Sequence, residues 1–221
     1  STIPAPLTVA QAGGARPALF AAWREEGALL RIDLLDGSTQ LTGPRTLQEG
    51  TELLGRLRPA RLRLGPGGRL FLLADLIEDG EPTATALFDL DPDDASVLSV
   101  AEEPGPCEVA TWGWNPLLTV GIVGCQRSGE VLLYEPSLGA FLARQPLPGA
   151  REVQAVAVDP LDGAVLALAR RESPFLVRYD LEANRPVRWA FLGMSNLGLL
   201  LGDDGLLRVP RFLGRQVLAL A

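Results

Sequence analysis

The sequence predicts an all-β protein, and three observations lead to this prediction. Apolar residues come in short runs, many of these runs alternate with polar residues, and clusters of turn-forming residues separate them. The arrangement is clearest between residues 153 and 192, where three turn segments separate four short runs. The predicted strands there are Val153–Val158, Ala164–Ala169, Phe175–Leu181 and Pro186–Leu192.

The same arrangement recurs along the chain. A bulky residue followed by an acid lies near the end of each predicted third strand, and successive copies are about 45 to 56 residues apart. A turn rich in glycine or aspartate lies about two strands before each of these copies. Such residues accept the positive φ that hairpin turns need. The marked copies are Ile32-Asp33, Phe88-Asp89, Tyr134-Glu135 and Tyr179-Asp180, and the clearest turns are Gly65–Gly68, Asp159–Gly163 and Gly202–Gly205.

Repeats of about 40 to 45 residues with up to four strands each are typical of β-propeller blades. We therefore predict a single-domain, five-bladed β-propeller of small blades, each with three to four antiparallel strands. The extra length before the second blade contains helix-forming residues and spaced leucines, which favours a short helical insertion near residues 45–57. The predicted blades span residues 2–43, 58–104, 106–148, 151–192 and 193–221.

The two ends of the chain leave two ways to complete the ring. The fifth predicted blade ends at its third strand, so the N-terminal residues either supply the missing strand or form the first strand of blade 1. The first arrangement would satisfy the open edge of blade 5. The second agrees with the alignment of residues 7–14 with residues 62–68, and we favour it.

One stretch carries a family resemblance. The segment AVAVDPLDGAVLALAR, followed by LVRYDLE, resembles the degenerate blades of YVTN- and NHL-type β-propellers. The resemblance extends over nearly the whole chain as architecture, but it is close only between Val153 and Leu192. Such propellers include scaffolds, sugar-binding proteins and several enzymes, so the resemblance implies a fold and not an activity.

Composition excludes several kinds of chemistry. The chain has 20 basic and 27 acidic residues, and a net charge of −7 argues against nucleic acid as its main partner. All the basic residues are arginine, so histidine bases, histidine-ligated metals, lysine Schiff bases and P-loop lysines are ruled out. We expect no cofactor.

The sequence predicts no transmembrane helix, because it contains no apolar run of about 18 residues. The first residues also lack the pattern of a signal peptide.

The two cysteines are predicted to face each other. A tight hairpin centred on Pro116 would place Cys107 opposite Cys125 across the first two strands of blade 3. A disulfide between them would favour a secreted or cell-envelope location. The alternative is a pair of reduced, buried thiols in a cytoplasmic protein.

Charged residues are predicted to gather on one face of the propeller, where the first strands begin and the second and third strands are joined. Acidic residues would lie on one side of this face and arginines on the other, which suits a protein partner or a small charged ligand. Ordinary solvated loop charge is the alternative interpretation. The acidic residues are Glu25, Glu26, Glu78 and Asp79, and the candidate binding residues are Arg58, Arg127, Arg170, Arg171, Arg211 and Arg215.

We predict a non-catalytic binding or scaffold module, and we keep a glycan hydrolase as the alternative. That alternative would use Glu108 and Glu152 as a carboxylate pair projecting into a central channel. The neighbouring Trp112 and Trp114 are expected to fill the core and not to bind sugar. The acidic segment FDLDPDD, residues 88–94, lacks the spacing of a calcium loop, so we expect turn-forming aspartates there and no metal site.

Overall fold

The structure is a computed structural model. It describes residues 8–12, 17–23, 28–42, 57–93, 95–105, 107–115, 119–159, 162–172, 174–180, 183, 185–191, 200–201, 207–210 and 217–220. Regular structure in these ranges consists of β-strands and a single 3₁₀ turn at Pro66–Gly68, which confirms the predicted all-β class. The helical insertion predicted near residues 45–57 lies outside the described ranges except at Leu57, which belongs to a strand.

The strands form five antiparallel sheets, each made of consecutive strands. We number them sheets 1 to 5 in chain order. Sheet 1 contains β1 (Thr8–Ala12), β2 (Ala18–Trp23), β3 (Ala28–Asp33) and β4 (Thr39–Thr42). Sheet 2 contains β5 (Leu57–Leu64), β6 (Leu70–Glu78), β7 (Glu81–Leu90) and β8 (Val97–Pro104). Sheet 3 contains β9 (Val109–Asn115), β10 (Val120–Cys125), β11 (Glu130–Glu135) and β12 (Ala140–Pro146). Sheet 4 contains β13 (Glu152–Val158), β14 (Val165–Arg170), β15 (Pro174–Asp180) and β16 (Arg185–Phe191), and sheet 5 contains β17 (Leu200–Leu201), β18 (Leu207–Pro210) and β19 (Val217–Leu220).

The strand order answers one question that the sequence left open. Within every sheet, strands that follow each other in the chain are hydrogen-bonded neighbours. The first strand of the chain pairs with β2, from Thr8 opposite Ala22 to Ala12 opposite Ala18. The N-terminal strand is therefore the first strand of sheet 1, which is the arrangement that we favoured from the sequence.

In three of the four marked repeats, the acid at the end of the third strand stabilises a turn. Asp89 of the second repeat is instead buried within β7 and ion-paired with Arg69. Asp33, Glu135 and Asp180 lie at the ends of β3, β11 and β15. Their carboxylates accept hydrogen bonds from the backbone N–H groups of Leu35 (2.9 Å), Ser137 (3.1 Å) and Ala183 (3.0 Å). Such short side-chain-to-backbone bonds favour the turn that leads into the fourth strand. The repeat signal thus has a structural cause.

The chain divides into two compact units, residues 1–109 and 110–221. In the first unit, β5 packs against β1 and β2, and sheets 1 and 2 share one core that includes Phe20, Leu72 and Phe88. Arg31 of β3 also reaches sheet 2, where its Nε donates to the carbonyl oxygen of Pro92 at 3.5 Å. Apolar burial, supplemented by this polar contact, joins the two sheets.

In the second unit, β13 packs against β10 and β11, and sheets 3 and 4 share a core. Two polar contacts join the same sheets. The Nδ2 of buried Asn115 donates to the carbonyl oxygen of Gly163 at 2.8 Å, and the Nε2 of Gln145 donates to the hydroxyl of Tyr179 at 3.0 Å. β17 lies beside β13, so sheet 5 adjoins sheet 4. In both units, the first strand of the second sheet, β5 or β13, lies beside two strands of the sheet that precedes it in the chain.

Candidate functional site

The predicted site residues that the structure describes lie at one end of their sheets. We call this the leading end, where the first strand begins and the second strand turns into the third. Antiparallel strands alternate in direction, so these two features meet at the same end. Arg58 lies in β5, Glu108 immediately before β9, Arg127 in the β10–β11 turn, Glu152 at the start of β13, Arg170 at the end of β14 and Arg171 just after it. Arg211 and Arg215 lie outside the described residues.

A shared irregularity makes Arg58 and Glu152 equivalent. The pairing of β5 with β6 shifts by one residue between Pro59 and Arg61, and the pairing of β13 with β14 shifts between Val153 and Ala155. Each shift has the pattern of a β-bulge, and Arg58 and Glu152 each lie directly before the shifted pair. Glu152 is the first residue of β13, and Arg58 is the second residue of β5.

The two equivalent positions face residues of opposite charge. Arg58 lies opposite Asp75 on β6, whereas Glu152 lies opposite Arg170 on β14. Residues directly opposite each other across an antiparallel pair project from the same side of the sheet. Sheets 2 and 4 therefore carry the same cross-strand arrangement with the charges exchanged.

In sheet 4 this arrangement is an ion pair. The Glu152 carboxylate accepts a hydrogen bond from Arg170 Nη2 at 2.7 Å, and the two side chains are 28% and 47% exposed. Pairs this exposed contribute at most about 1 kcal/mol, so the contact orients Arg170 more than it stabilises the fold. The N–H of Arg151 donates to the carbonyl oxygen of Arg170 at 2.8 Å and fixes the backbone at the same place.

The β10–β11 turn lies against the segment that leads into β13. Leu147 N–H donates to the Gly129 carbonyl oxygen at 3.0 Å, and a Cβ added to Gly129 would lie 2.5 Å from the carbonyl oxygen of Ala150. Gly129 also has a φ of +67°, so this close approach depends on glycine. The turn that carries Arg127 therefore lies beside the segment that leads into β13.

Four arginines therefore gather at the leading ends of sheets 3 and 4. We call them the arginine cluster: Arg127, Arg151, Arg170 and Arg171, all exposed. Sequence reasoning missed Arg151, although its position directly before the strand-starting Glu152 was a usable signal. Glu108, Glu152 and the exposed Glu172 are acids at the same leading ends, while Glu130 is bonded to Arg144 at 2.9 Å.

The leading end of sheet 2 is acidic instead. The β6–β7 turn and the neighbouring end of β8 expose Glu78, Asp79, Glu81 and Glu102. Glu25 and Glu26, which the sequence assigned to the same acidic side, lie outside the described residues. Sheets 2 and 4 thus present opposite charge at equivalent ends, each within its own unit.

The polar interior behind this acidic end contains Asp75 and Thr85. These two residues lie opposite each other on β6 and β7 and are fully buried. The Oγ1 of Thr85 and the buried Nε of Arg58 have no hydrogen-bond partner among the described residues. Buried polar groups without partners destabilise a fold, so sheet 2 carries a cost here that apolar residues would avoid.

The residues named for the hydrolase alternative are described one by one. Glu108 is half-buried and has a φ of +44°, whereas Glu152 is paired with Arg170. Trp112 is 2% exposed, and its ring centroid lies 6.2 Å from that of Trp114 at a tilt of 39°. The environment of Trp112 is that of a core residue, which leaves its ring no open face for sugar.

Asp91, in the acidic segment considered for metal binding, and Asp162 both stabilise turns. Asp91 accepts a hydrogen bond from Asp93 N–H at 2.7 Å, and Asp162 accepts one from Ala164 N–H at 3.1 Å. Desolvation acts to raise the pKa of Asp162, but the Ala164 N–H and the Arg178 guanidinium outweigh it and lower that pKa below its ordinary value. Within the described ranges, no group of three or more potential ligands could hold a metal ion.

Cys107 and Cys125 form a disulfide, and both are fully buried. The predicted bond is confirmed, and neither of the two cysteines of the chain is free. One detail differs from the prediction, because Cys107 lies two residues before β9 and not within a paired strand. The bond therefore fastens the segment that leads into sheet 3 to the end of β10.

Membrane-spanning helices are absent from the part of the chain that the structure describes, since no helix there is long and apolar enough.

Comparison with known proteins identifies a fold and no family. No protein-family profile matches the sequence, and no curated protein sequence matches it. Among solved structures, a protein of unknown function from Bacteroides caccae is similar, with a TM-score of 0.61 and 16% identity over 96% of this chain and 72% of that one. Hydrazine synthase from Kuenenia stuttgartiensis is also similar, with a TM-score of 0.69 and 11% identity over 98% of this chain. The match spans only 58% of the hydrazine synthase chain. Identities this low support an all-β architecture of small antiparallel sheets and do not transfer an activity.

Proposed function

We propose that the five sheets are the blades of a β-propeller, and that the chain is a non-catalytic binding module. Its partner would be a protein or a small charged ligand recognised at the leading ends of the sheets. The arginine cluster at sheets 3 and 4 carries this proposal.

Three features support the propeller arrangement. Each sheet is a meander of consecutive strands, the third strands of sheets 1, 3 and 4 end in the same turn-stabilising acid, and first strands lie beside the preceding sheet in both units. A closed ring of 221 residues would have a radius of gyration of about 17 Å. Small-angle scattering tests this value, and a clearly larger radius for the monomer would contradict a closed ring.

Charge placement supports a binding role. Loop ends on a rigid β scaffold are common places for recognition, and the four arginines at the leading ends of sheets 3 and 4 are exposed. Guanidinium groups suit carboxylate and phosphate partners, because their planar fork can donate two parallel hydrogen bonds. The acidic leading end of sheet 2 adds a second sign of charge, which would orient a polar partner.

The hydrolase alternative has less support. Hydrolysis by a carboxylate pair requires one acid that stays protonated and a second that faces the same bond. Glu152 is already engaged by Arg170 at 2.7 Å, so its carboxylate is occupied by another side chain. The buried Trp112 adds no sugar-stacking surface.

Charge reversal tests the binding proposal. The variant Arg170→Glu/Arg171→Glu alters the cluster, whereas Arg185→Glu alters an exposed arginine at the opposite end of sheet 4. Tagged proteins expressed in the source organism would be compared by quantitative mass spectrometry of co-purified proteins and small molecules. We expect a partner that is retained by the wild type and by Arg185→Glu but lost from the double variant. An unchanged set of partners for the double variant would count against this site.

A further inference from the structure

We infer that sheet 2 binds an ordered water molecule in its interior, held by Arg58, Asp75 and Thr85. The site lies within the first unit and is independent of the proposed binding function. This water supplies partners to buried polar atoms of sheet 2 and so reduces the cost of burying them.

Strand pairing brings the three side chains together. Arg58 on β5 lies opposite Asp75 on β6, and Asp75 lies opposite Thr85 on β7. Directly opposite residues project from the same side of a sheet, with Cβ atoms about 4.5 to 5.5 Å apart. The three side chains therefore form one row across neighbouring strands, with Asp75 in the middle. We call it the polar row.

Two atoms of the polar row are buried and have no hydrogen-bond partner among the described residues: Arg58 Nε and Thr85 Oγ1. Glu103, which lies opposite Thr85 on β8, does not supply one. Thr85 and Asp75 are both 0% exposed, whereas Arg58 is half-buried near the start of β5. Nearly all buried polar groups in folded proteins have a partner in the protein or in ordered water. The two atoms therefore indicate a bound ligand.

The residues beside the polar row do not offer these partners. In the next row on the same side of the sheet, Leu73 lies opposite Leu87, and both are buried. Arg61 lies opposite Leu73 on β5, and its Nη1 donates to the carbonyl oxygen of Ala60 at 2.8 Å. The ligand is thus enclosed by buried side chains, which limits it to a small molecule.

The order of donors and acceptors along the polar row favours water over an ion. Arg58 Nε–H can only donate, an ionised Asp75 carboxylate can only accept, and the Thr85 hydroxyl can do either. A cation would lie against the guanidinium group and an anion against the carboxylate, so neither charge is favoured. A water molecule accepts from Arg58, donates to Asp75 and bonds to Thr85 in either sense. This makes three hydrogen bonds, about the number that internal waters typically form.

Replacing Thr85 by valine tests the inference through the sign of its effect. Valine has nearly the shape of threonine but no hydroxyl, so removing a hydroxyl without a partner would raise the urea midpoint. A hydroxyl that holds the water behaves in the opposite way, because its loss leaves the water and Arg58 Nε with fewer partners. We therefore expect Thr85→Val to lower the midpoint by roughly 0.3 to 1 M. The control is Thr83→Val, at an exposed position of the same strand, which should shift the midpoint by less than about 0.2 M.

Two further measurements test whether one water joins both ends of the polar row. Relaxation dispersion of ¹⁷O counts the water molecules that reside inside a protein, and we expect Thr85→Val to lower this count by about one. Arg58→Met keeps a long unbranched side chain without the Nε–H, and it should remove the same water. The midpoint loss of the double variant should then be smaller than the sum of the two single losses.

Three results would overturn the inference: a raised or unchanged midpoint for Thr85→Val, an unchanged water count for that variant, or additive losses in the double variant.

Discussion

Removing the disulfide is the most informative test of the fold. Cys107 and Cys125 close a loop of about 19 residues, and this constraint lowers the entropy of the unfolded chain by an amount equivalent to about 3 kcal/mol at 25 °C. Alanine is the suitable replacement at both positions, because serine would leave two buried hydroxyls in need of partners. For a chain of this size, a loss of that magnitude lowers Tm by about 6 to 12 °C.

Urea unfolding followed by tryptophan fluorescence measures the effect. Trp112 and Trp114 lie on β9, directly after Cys107, and therefore report on the region that the bond fastens. We expect Cys107→Ala/Cys125→Ala to lower the midpoint, and we expect the wild type unfolded with a reductant to show a similar loss. An unchanged midpoint for the double variant would refute the reasoning, as would a non-reduced mass that corresponds to two free thiols.

Two further results are expected from local contacts. Gly163→Ala should destabilise the protein by about 1 to 3 kcal/mol, because φ is +72° and the new Cβ would lie 2.9 Å from Asn115 Nδ2. Gly37→Ala is the control, since Gly37 has the same φ and its added Cβ would meet no atom within 4 Å, so this variant measures the backbone cost alone. Equal urea midpoints for the two variants would contradict the steric contact at Gly163. The lowered pKa of Asp162 contributes stability above the ordinary Asp pKa of about 4, and this stability is lost as the pH falls through the lower pKa of the folded state. Removing the charge with Asp162→Asn, or its partner with Arg178→Gln, should flatten the stability profile between about pH 2 and 5, and an unaltered profile would mean that another carboxylate dominates.

Much of the strand pattern could be predicted because its causes are local. The strand predicted at Val153–Val158 begins one residue earlier in the structure, at Glu152, and the strand predicted at Ala164–Ala169 is displaced by one residue. Side-chain alternation and turn residues act within a few positions of the chain, so the sequence contains them directly. The acid at the end of the third strand in sheets 1, 3 and 4 belongs to the same class of signal, since its hydrogen-bond partner lies two or three residues away.

The candidate site could be predicted only in part. Its residues were identified from their positions at strand ends, but the partner of Glu152 is Arg170, 18 residues away, and strand register sets that pairing. The bulge at the start of β13 changes the register by one residue, and such a change moves every side chain to the other face. The contribution of Arg151 was missed for a related reason, because the bond that ties it to β14 crosses between strands.

The sequence by itself determined the all-β class, the repeating units, the composition that excludes histidine and lysine chemistry, and the pair of cysteines. These properties depend on residue identity and on neighbours within a turn or a strand. Only the tertiary structure decided that Cys107 joins Cys125 from outside its strand, that Glu152 is held by Arg170, and that the turn carrying Arg127 is bonded to the segment before β13. The reason is that each of these contacts connects segments far apart in the chain, and their geometry follows from how the strands pair and the sheets pack.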